Sequence, residues 1–240
     1  TSATENVGIG NNALGAVTDS TANTGVGHNS GASITTGDSN TFFGHQAGDA
    51  TTTASNNTGV GKDALGANTT GTLNTIVGAF AGDANTTGSS NTGVGVNALG
   101  ANTEGGENVA VGQGALNANT TASNNTGLGY NALTTNTTGT QNVAVGDIAL
   151  NFNTTASYNT AVGRAALYTN TTGATNTAVG RNSLAANSTG DNNTGVGASS
   201  LEANTTASNN TALGYATLNQ NTTGTENVAV GNYAADAVTT

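Results

Sequence analysis

The chain has 240 residues, including 36 Gly and no Pro, Cys, Met or Trp, and its 13 acidic residues against three Lys or Arg give a net charge of −10. The absence of Cys excludes disulfides and thiolate metal sites, and the acidic balance argues against nucleic acid as a partner. No apolar run reaches the roughly 18 residues that a transmembrane helix needs, so we expect no membrane insertion by this segment.

The sequence repeats with a strict period of 17 residues. An Asn opens each of the 14 repeats, from Asn6 to Asn227, and a Gly always follows four residues later. Such regularity, without insertion or deletion, is typical of a solenoid in which equivalent positions stack on one another. We therefore predict an all-β parallel β-solenoid (β-roll) of 14 coils, forming a single continuous array over residues 1–240. We also expect the array to be a segment of a longer fibre, because open ends would leave strand edges unpaired.

The positions of each coil are numbered 1 to 17 from the opening Asn. Positions 1 to 4 are predicted to form a strand with its β-branched residues at positions 2 and 4 pointing into the core. A small residue at position 8 and Leu at position 9 predict a second strand with a second apolar column, and positions 12 to 15 a turn or third short strand. The two buried columns are expected to include Val60, Val77, Val94 and Val111, and Leu65, Leu99, Leu116 and Leu133.

Position 3 is Gly or Ala in 12 coils. It is expected to point outward, where a small apolar surface suits a closely packed neighbouring copy. The Gly at position 5, such as Gly112 or Gly146, is expected at a corner of the coil.

Asn recurs at position 1 and, from Asn68 to Asn221, at position 12. We expect these residues to form internal ladders of side-chain amides along the stack. A second interpretation stays open, because nine position-12 Asn residues and four position-17 Asn residues begin N-x-S/T glycosylation triplets. Sugars on adjacent coils, about 5 Å apart, would collide, so most of these sites are not expected to be occupied.

All three Lys or Arg residues and both His residues fall at position 6, directly after the Gly. One interpretation is a solvated corner whose cations pair with acids at position 10, across a subunit interface. The other is an exposed stripe that binds a ligand or receptor. The candidate residues of this stripe are His28, His45, Lys62, Tyr130, Asp147, Arg164, Arg181 and Tyr215.

No spacing brings a His beside a nucleophile and an orienting acid. The acids form neither the paired carboxylates of a glycosidase nor a calcium-binding loop. We therefore predict that the protein is not an enzyme and has no metal site or cofactor.

The segments ENVGIG (Glu5–Gly10) and ENVAVG (Glu107–Gly112 and Glu226–Gly231) resemble a known repeat. The head domain of YadA-type trimeric autotransporter adhesins repeats a segment of the type E-N-S-V-A-I-G, and related repeats occur in phage tail fibres. The resemblance implies a left-handed parallel β-roll, a homotrimer and a role in attachment at surfaces. The coil here is longer than that of the family, and one residue of the motif is missing between Asn and Val.

The function expected from these features is that of an extracellular structural rod for surface attachment, at a cell surface or on a virion. Its partners would be further copies of the chain, in a homotrimer or filament, and a surface receptor or glycan. The alternative is an ice-binding solenoid with Thr arrays at positions 2, 13 and 14. Against it, adjacent Thr residues at positions 13 and 14 face opposite ways, and Thr at position 2 is expected to point inward. A passive stalk without a ligand is a third interpretation.

Overall fold

The computed structural model describes residues 3–239 and is an all-β parallel β-solenoid with a 17-residue period. The chain divides into two compact units, whose described parts are residues 3–123 and 124–239. The first unit contains strands β1 to β7, which are Val7–Ile9, Thr24–Val26, Thr41–Phe43, Thr58–Val60, Thr75–Val77, Thr92–Val94 and Val109–Val111. The second contains β8 to β14, which are Thr126–Leu128, Val143–Val145, Thr160–Val162, Thr177–Val179, Thr194–Val196, Thr211–Leu213 and Val228–Val230.

Within each unit the strands pair in parallel and in chain order, each residue lying opposite the residue 17 positions later. Backbone hydrogen bonds between coils continue outside the strands. The amide of Leu65, for example, donates to the carbonyl of Ala81 at 3.1 Å, and the amide of Thr69 to that of Thr86 at 3.0 Å. The predicted solenoid and its period are confirmed, since bonds at several points around the coil hold each repeat in register with the next.

The predicted second strand is wrong. Outside positions 2 to 4 the described coils consist of turns and bends, apart from an isolated bridge between Thr4 and Thr21. The Leu at position 9 has a φ between 50° and 57° in all ten coils that carry it. The residue at position 7 is left-handed too, with a φ of 56° at Asp63. Two left-handed residues so close together curl the chain, so it cannot extend into a strand.

The predicted column of inward-pointing Val residues is also wrong. In β2 to β14 the buried residue is the middle one, at position 3, and the residues at positions 2 and 4 are partly or fully exposed. Val77 and Val94 are 36% and 38% exposed, and Val60 and Val111 lie in the same outward column. The second predicted column is confirmed, because Leu65, Leu99, Leu116 and Leu133 are all buried.

Alternation along the strand explains the error. Successive side chains of a strand point to opposite faces, so positions 1 and 3 share one face and positions 2 and 4 the other. Since the Asn at position 1 lies inside, position 3 must lie inside as well, and it cannot form the predicted outer surface. Space inside is limited: a Cβ added to Gly25 would lie 2.9 Å from Cγ of Leu14. A small residue at position 3 therefore makes room for Leu at position 9.

Two coils of the first unit reverse this arrangement. Phe42 and Ile76 occupy position 3, and both are buried. In the same coils position 9 is not Leu but Gly48 and Gly82. A Cβ on Gly48 would overlap the ring of Phe42, and a Cβ on Gly82 would already touch Ile76 at 3.5 Å. The space between Ile76 and Gly82 leaves no room for a water molecule. In these two coils, as in the ten with Leu at position 9, one large apolar side chain is thus supplied from one of the two positions; in the coil of Asn23 both positions are Gly, and Ile34 at position 12 is buried instead.

The predicted Asn ladders are confirmed. At position 1, Oδ1 of Asn57 accepts the backbone amide of Asn74 at 3.0 Å, and the side-chain Nδ2 of Asn74 at 3.1 Å. At position 12, Nδ2 of Asn85 donates to Oδ1 of Asn68 at 2.8 Å. The two ladders meet at position 15, where the carbonyl of Gly71 accepts Nδ2 of both Asn57 and Asn68, at 2.9 and 3.0 Å. In coils that carry both Asn residues, the polar interior is thus bonded both along the stack and across the coil.

The Gly at position 5 is required by conformation and by space. Gly146 has a φ of 138°, and a Cβ added there would lie 2.6 Å from the carbonyl oxygen of Gly163 in the next coil. We predict that Gly146→Val lowers the free energy of unfolding by at least about 1 kcal/mol, because it adds strain and separates two coils. Chemical denaturation measures the change, with Ala198→Val, one residue after the equivalent Gly197, as control. Equal stability of the two variants would contradict a requirement for Gly.

We predict that a large apolar side chain can be moved between position 3 and position 9 of one coil, because the two positions fill the same space. Ile76→Ala should cost about 2–5 kcal/mol by opening a cavity, and Gly82→Leu should destabilise by overpacking against Ile76. The double variant Ile76→Ala/Gly82→Leu recreates the arrangement of coils such as that of Ala110 and Leu116. It should therefore be more stable than either single variant in thermal unfolding. Additive losses in the double variant would show that the two positions do not share one space.

Candidate functional site

The outward side chains of the strands form a regular surface on each unit, which we call the strand face. It consists of the residues at positions 2 and 4, and no coil places a charged residue at either position. Position 2 is Thr in ten coils, and position 4 is Val, Ile, Leu or Phe throughout. The spacing of parallel strands places each residue about 4.8 Å from its equivalent on the next coil. The strand face is therefore an uncharged array of methyl and hydroxyl groups with a fixed repeat.

The Thr columns differ in what their hydroxyls do. At position 13 the hydroxyl is bonded inside the stack, as when Oγ1 of Thr86 donates to the carbonyl of Thr103 at 3.0 Å. At position 2, Thr residues such as Thr58, Thr92 and Thr177 make no side-chain hydrogen bond to another described residue. Thr at position 2 was predicted to point inward; the structure places it outside. Of the predicted Thr arrays, the one at position 13 is bonded within the stack, whereas those at positions 2 and 14 lie outside. The array at position 2 is the one that shares the strand face with the apolar residues of position 4.

In the first unit, the charged and aromatic side chains of the predicted position-6 stripe mostly interact with neighbouring side chains of the same unit. The rings of His28 and His45 stack with centroids 5.2 Å apart. Nζ of Lys62 lies 3.2 Å from Oδ2 of Asp63 and 4.6 Å from the ring centroid of Phe80. Asp63 also lies 4.0 Å from Nδ1 of His45. The exposed side chains of this stretch thus contact one another from coil to coil.

In the second unit, not every charge of the stripe has a partner of opposite charge. Nε of Arg164 lies 3.3 Å from Oδ2 of Asp147, whereas Arg181 on the next coil has no ion pair with a described residue. Tyr130 is 52% exposed at the start of the stretch. Near the end of the second unit, the ring of Tyr215 meets that of Tyr233 edge-on at 5.2 Å, and the interaction with the Tyr215 side chain raises the pKa of Tyr233. The stripe therefore presents one unneutralised guanidinium.

The acids predicted at position 10 do not pair with these cations within the chain. Glu202 instead accepts hydrogen bonds from the side-chain amides of Asn182 and Asn219, at 3.2 and 3.3 Å. Asp49 accepts one from Nε2 of Gln46 at 3.3 Å. Burial raises the pKa of Asp83 above its ordinary value. The cations find their carboxylates at positions 6 and 7, a relation that the sequence pattern did not indicate.

The structure separates the glycosylation triplets into two classes. The Asn residues at position 12 are buried and bonded in the ladder, so the folded chain does not offer them to a transferase. Those at position 17, namely Asn56, Asn124, Asn192 and Asn209, are exposed.

Residues 3–239 contain no cluster of three or more His, Asp or Glu placed to hold a metal ion.

Comparisons with protein-family models, curated proteins and solved structures found no match to this chain. The part of the chain that the structure describes contains no helix long and apolar enough to span a membrane.

Asp83 allows a prediction of how stability changes with pH. Its pKa is raised in the folded state, so the folded chain holds this proton more tightly than the unfolded chain does. Stability should then fall as the pH rises from the ordinary value of 3.8 through the raised one, and remain lower above it. We predict that Asp83→Asn raises the melting temperature at neutral pH and that the gain disappears in acid. The control is Glu104→Gln, an exposed acid of the next coil. A gain that persists in acid would contradict the assigned cause.

Proposed function

We propose that this chain is a segment of an extracellular rod used for surface attachment, and that its copies associate through the strand face. The observation that carries the proposal is the outward direction of positions 2 and 4. Val94, Leu128 and Leu213 are 38%, 44% and 47% exposed in one unbroken column of each unit. Continuous apolar patches of this kind mark interaction surfaces rather than ordinary protein exterior.

A second copy of the chain is the partner that fits this face best. The strand face is uncharged, whereas the chain as a whole carries a net charge of −10. Association through a neutral face keeps the charged groups in water, where they are best solvated. A partner must also match a repeat of about 4.8 Å over several coils, and another copy of the same solenoid has this repeat by construction. Closed rotational symmetry, as in a trimer, would cover the face on every copy.

The resemblance to trimeric adhesin heads and tail-fibre repeats supports the same function. It associates repeats of this type with fibres at a cell surface or on a virion. A rod assembled in this way would present its position-6 stripe as a chemically varied surface along an otherwise uniform molecule. Attachment to a receptor or glycan would then depend on the stripe, and length and stiffness on the stacked coils.

Ice binding is the second candidate, and one observation favours it. The hydroxyls of Thr at position 2 lack protein partners and alternate with Val methyl groups at position 4. A flat array of hydroxyl and methyl groups at constant spacing can hold water molecules in an ordered layer. Thr at position 2 was expected to point inward, which would disfavour ice binding, but it lies on the outer face of the strands. The Thr residues at positions 13 and 14 still do not form one array, because the hydroxyls at position 13 are bonded within the stack. The two candidates compete for the same face, since a face covered by another copy cannot meet ice.

The mass of the purified chain in solution, measured by light scattering, tests both. The first candidate predicts a trimer, or another closed oligomer, without inhibition of ice recrystallisation. The variant Val94→Lys/Val162→Lys places one charge on each strand face and should yield monomers. The control Thr87→Lys/Thr172→Lys adds the same charges at exposed position 14 and should leave the oligomer intact. A monomer that inhibits recrystallisation would favour the second candidate, and a monomer without this activity would contradict both.

A further inference from the structure

We infer that four consecutive coils of the second unit form a binding site for a carboxylate-bearing oligosaccharide. The site consists of Tyr130, Asp147, Arg164 and Arg181, and we call it the anion stretch. The inference rests on the proposed attachment function, for which it names the ligand class and the residues that would bind it.

The backbone holds the anion stretch in a fixed geometry. The carbonyl of each of its residues accepts a hydrogen bond from the amide one position further along the next coil. The distances are 2.9 Å at Tyr130, 3.0 Å at Asp147 and Arg164, and 2.9 Å at Arg181. Four coils at strand spacing span roughly 15 Å, the length of a short oligosaccharide. The four side chains therefore project from a rigid ladder rather than from a loop that must be ordered on binding.

The charges in the anion stretch do not balance. Arg164 and Arg181 lie at the same position of neighbouring coils, where like charges repel each other. Asp147 pairs with Arg164 at 3.3 Å, whereas no carboxylate of the described residues pairs with Arg181. Two of only three Lys or Arg residues in a chain with 13 acids are thus placed side by side. A bound anion would remove this repulsion and supply the missing partner.

The chemistry of the four side chains selects the anion. A guanidinium binds a planar carboxylate through two parallel hydrogen bonds. The exposed ring of Tyr130 offers an apolar face for the C–H groups of a sugar, with its hydroxyl available for hydrogen bonding. Asp147 can accept hydrogen bonds from sugar hydroxyls on the side that does not face Arg164. A polyanion such as nucleic acid is disfavoured, because the rest of the chain is strongly acidic.

The equivalent stretch of the first unit provides an internal control. Its cation, Lys62, already contacts the carboxylate of Asp63 and the ring of Phe80. An ammonium group is also a poorer match for a planar carboxylate than a guanidinium. The first unit should therefore contribute little to the binding of an acidic sugar, although its stretch lies at the same coil position.

Isothermal titration of the full chain tests the inference. The probes are sialyllactose and a galacturonic acid trisaccharide, with lactose as the neutral match and inorganic sulfate as the simple anion. Binding of at least one acidic sugar is expected, together with loss of affinity as salt is added. Arg181→Gln should weaken this binding at least about tenfold, the value of one charge-assisted hydrogen bond. Lys62→Gln should change it less than about twofold, since that cation is already paired.

Several results would overturn the inference. These are no binding of either acidic sugar, equal binding of lactose, equal binding of sulfate, or an unchanged affinity in Arg181→Gln. Circular dichroism and the melting temperature check that each variant is folded, as expected for exposed positions. Failure here is distinguishable from failure of the proposed function. A chain that forms oligomers through the strand face but binds no acidic sugar contradicts the ligand assignment alone, whereas a monomer contradicts the assembly.

Discussion

Hydrogen bonds between buried Asn side chains are the interaction on which the rest of this molecule depends. Within each unit, an opening Asn such as Asn57 accepts the backbone amide of the next opening Asn, and its own amide group donates to the carbonyl at position 15. An unpaired amide in the interior would be costly, so these bonds must be made in every coil. They can be made only if equivalent residues lie directly above one another. The 17-residue period, kept without a single insertion, follows from this requirement.

The repeat predicted the solenoid, the Leu column and both Asn ladders, because these depend only on which residues stack. Stacking alone does not show which face of the strand points into the core. Large β-branched residues at positions 2 and 4 suggested a buried face, whereas the Asn at position 1 places the other face inside. The decisive clue was in the sequence, since Asn6 and Gly8 must share a face. The usual preference of Val for buried positions favoured positions 2 and 4 as the inner face. This was wrong because Asn side chains, rather than Val, fill much of this interior.

The stripe at position 6 was recognisable from the sequence because every Lys, Arg and His falls there. Its internal pairing was not, because it depends on contacts between different positions of neighbouring coils. Lys62 meets Asp63 beside it, and Phe80 from the next coil. Arg164 meets Asp147 from the coil before. Asp63 and Phe80 both lie at the left-handed position 7, and periodicity alone does not reveal left-handed conformations at residues other than Gly.

Both Asn ladders run in the same sense, and this gives the stack a chemical direction. In each ladder the later coil supplies the N–H donors and the earlier coil the Oδ1 acceptors. A ribosome releases the coils in that order. Each newly made opening Asn therefore meets a side-chain acceptor that is already in place, whereas backbone amides such as that of Leu65 find their acceptor in the following coil. For the Asn ladders, each finished coil is thus a template that presents acceptors to the next coil.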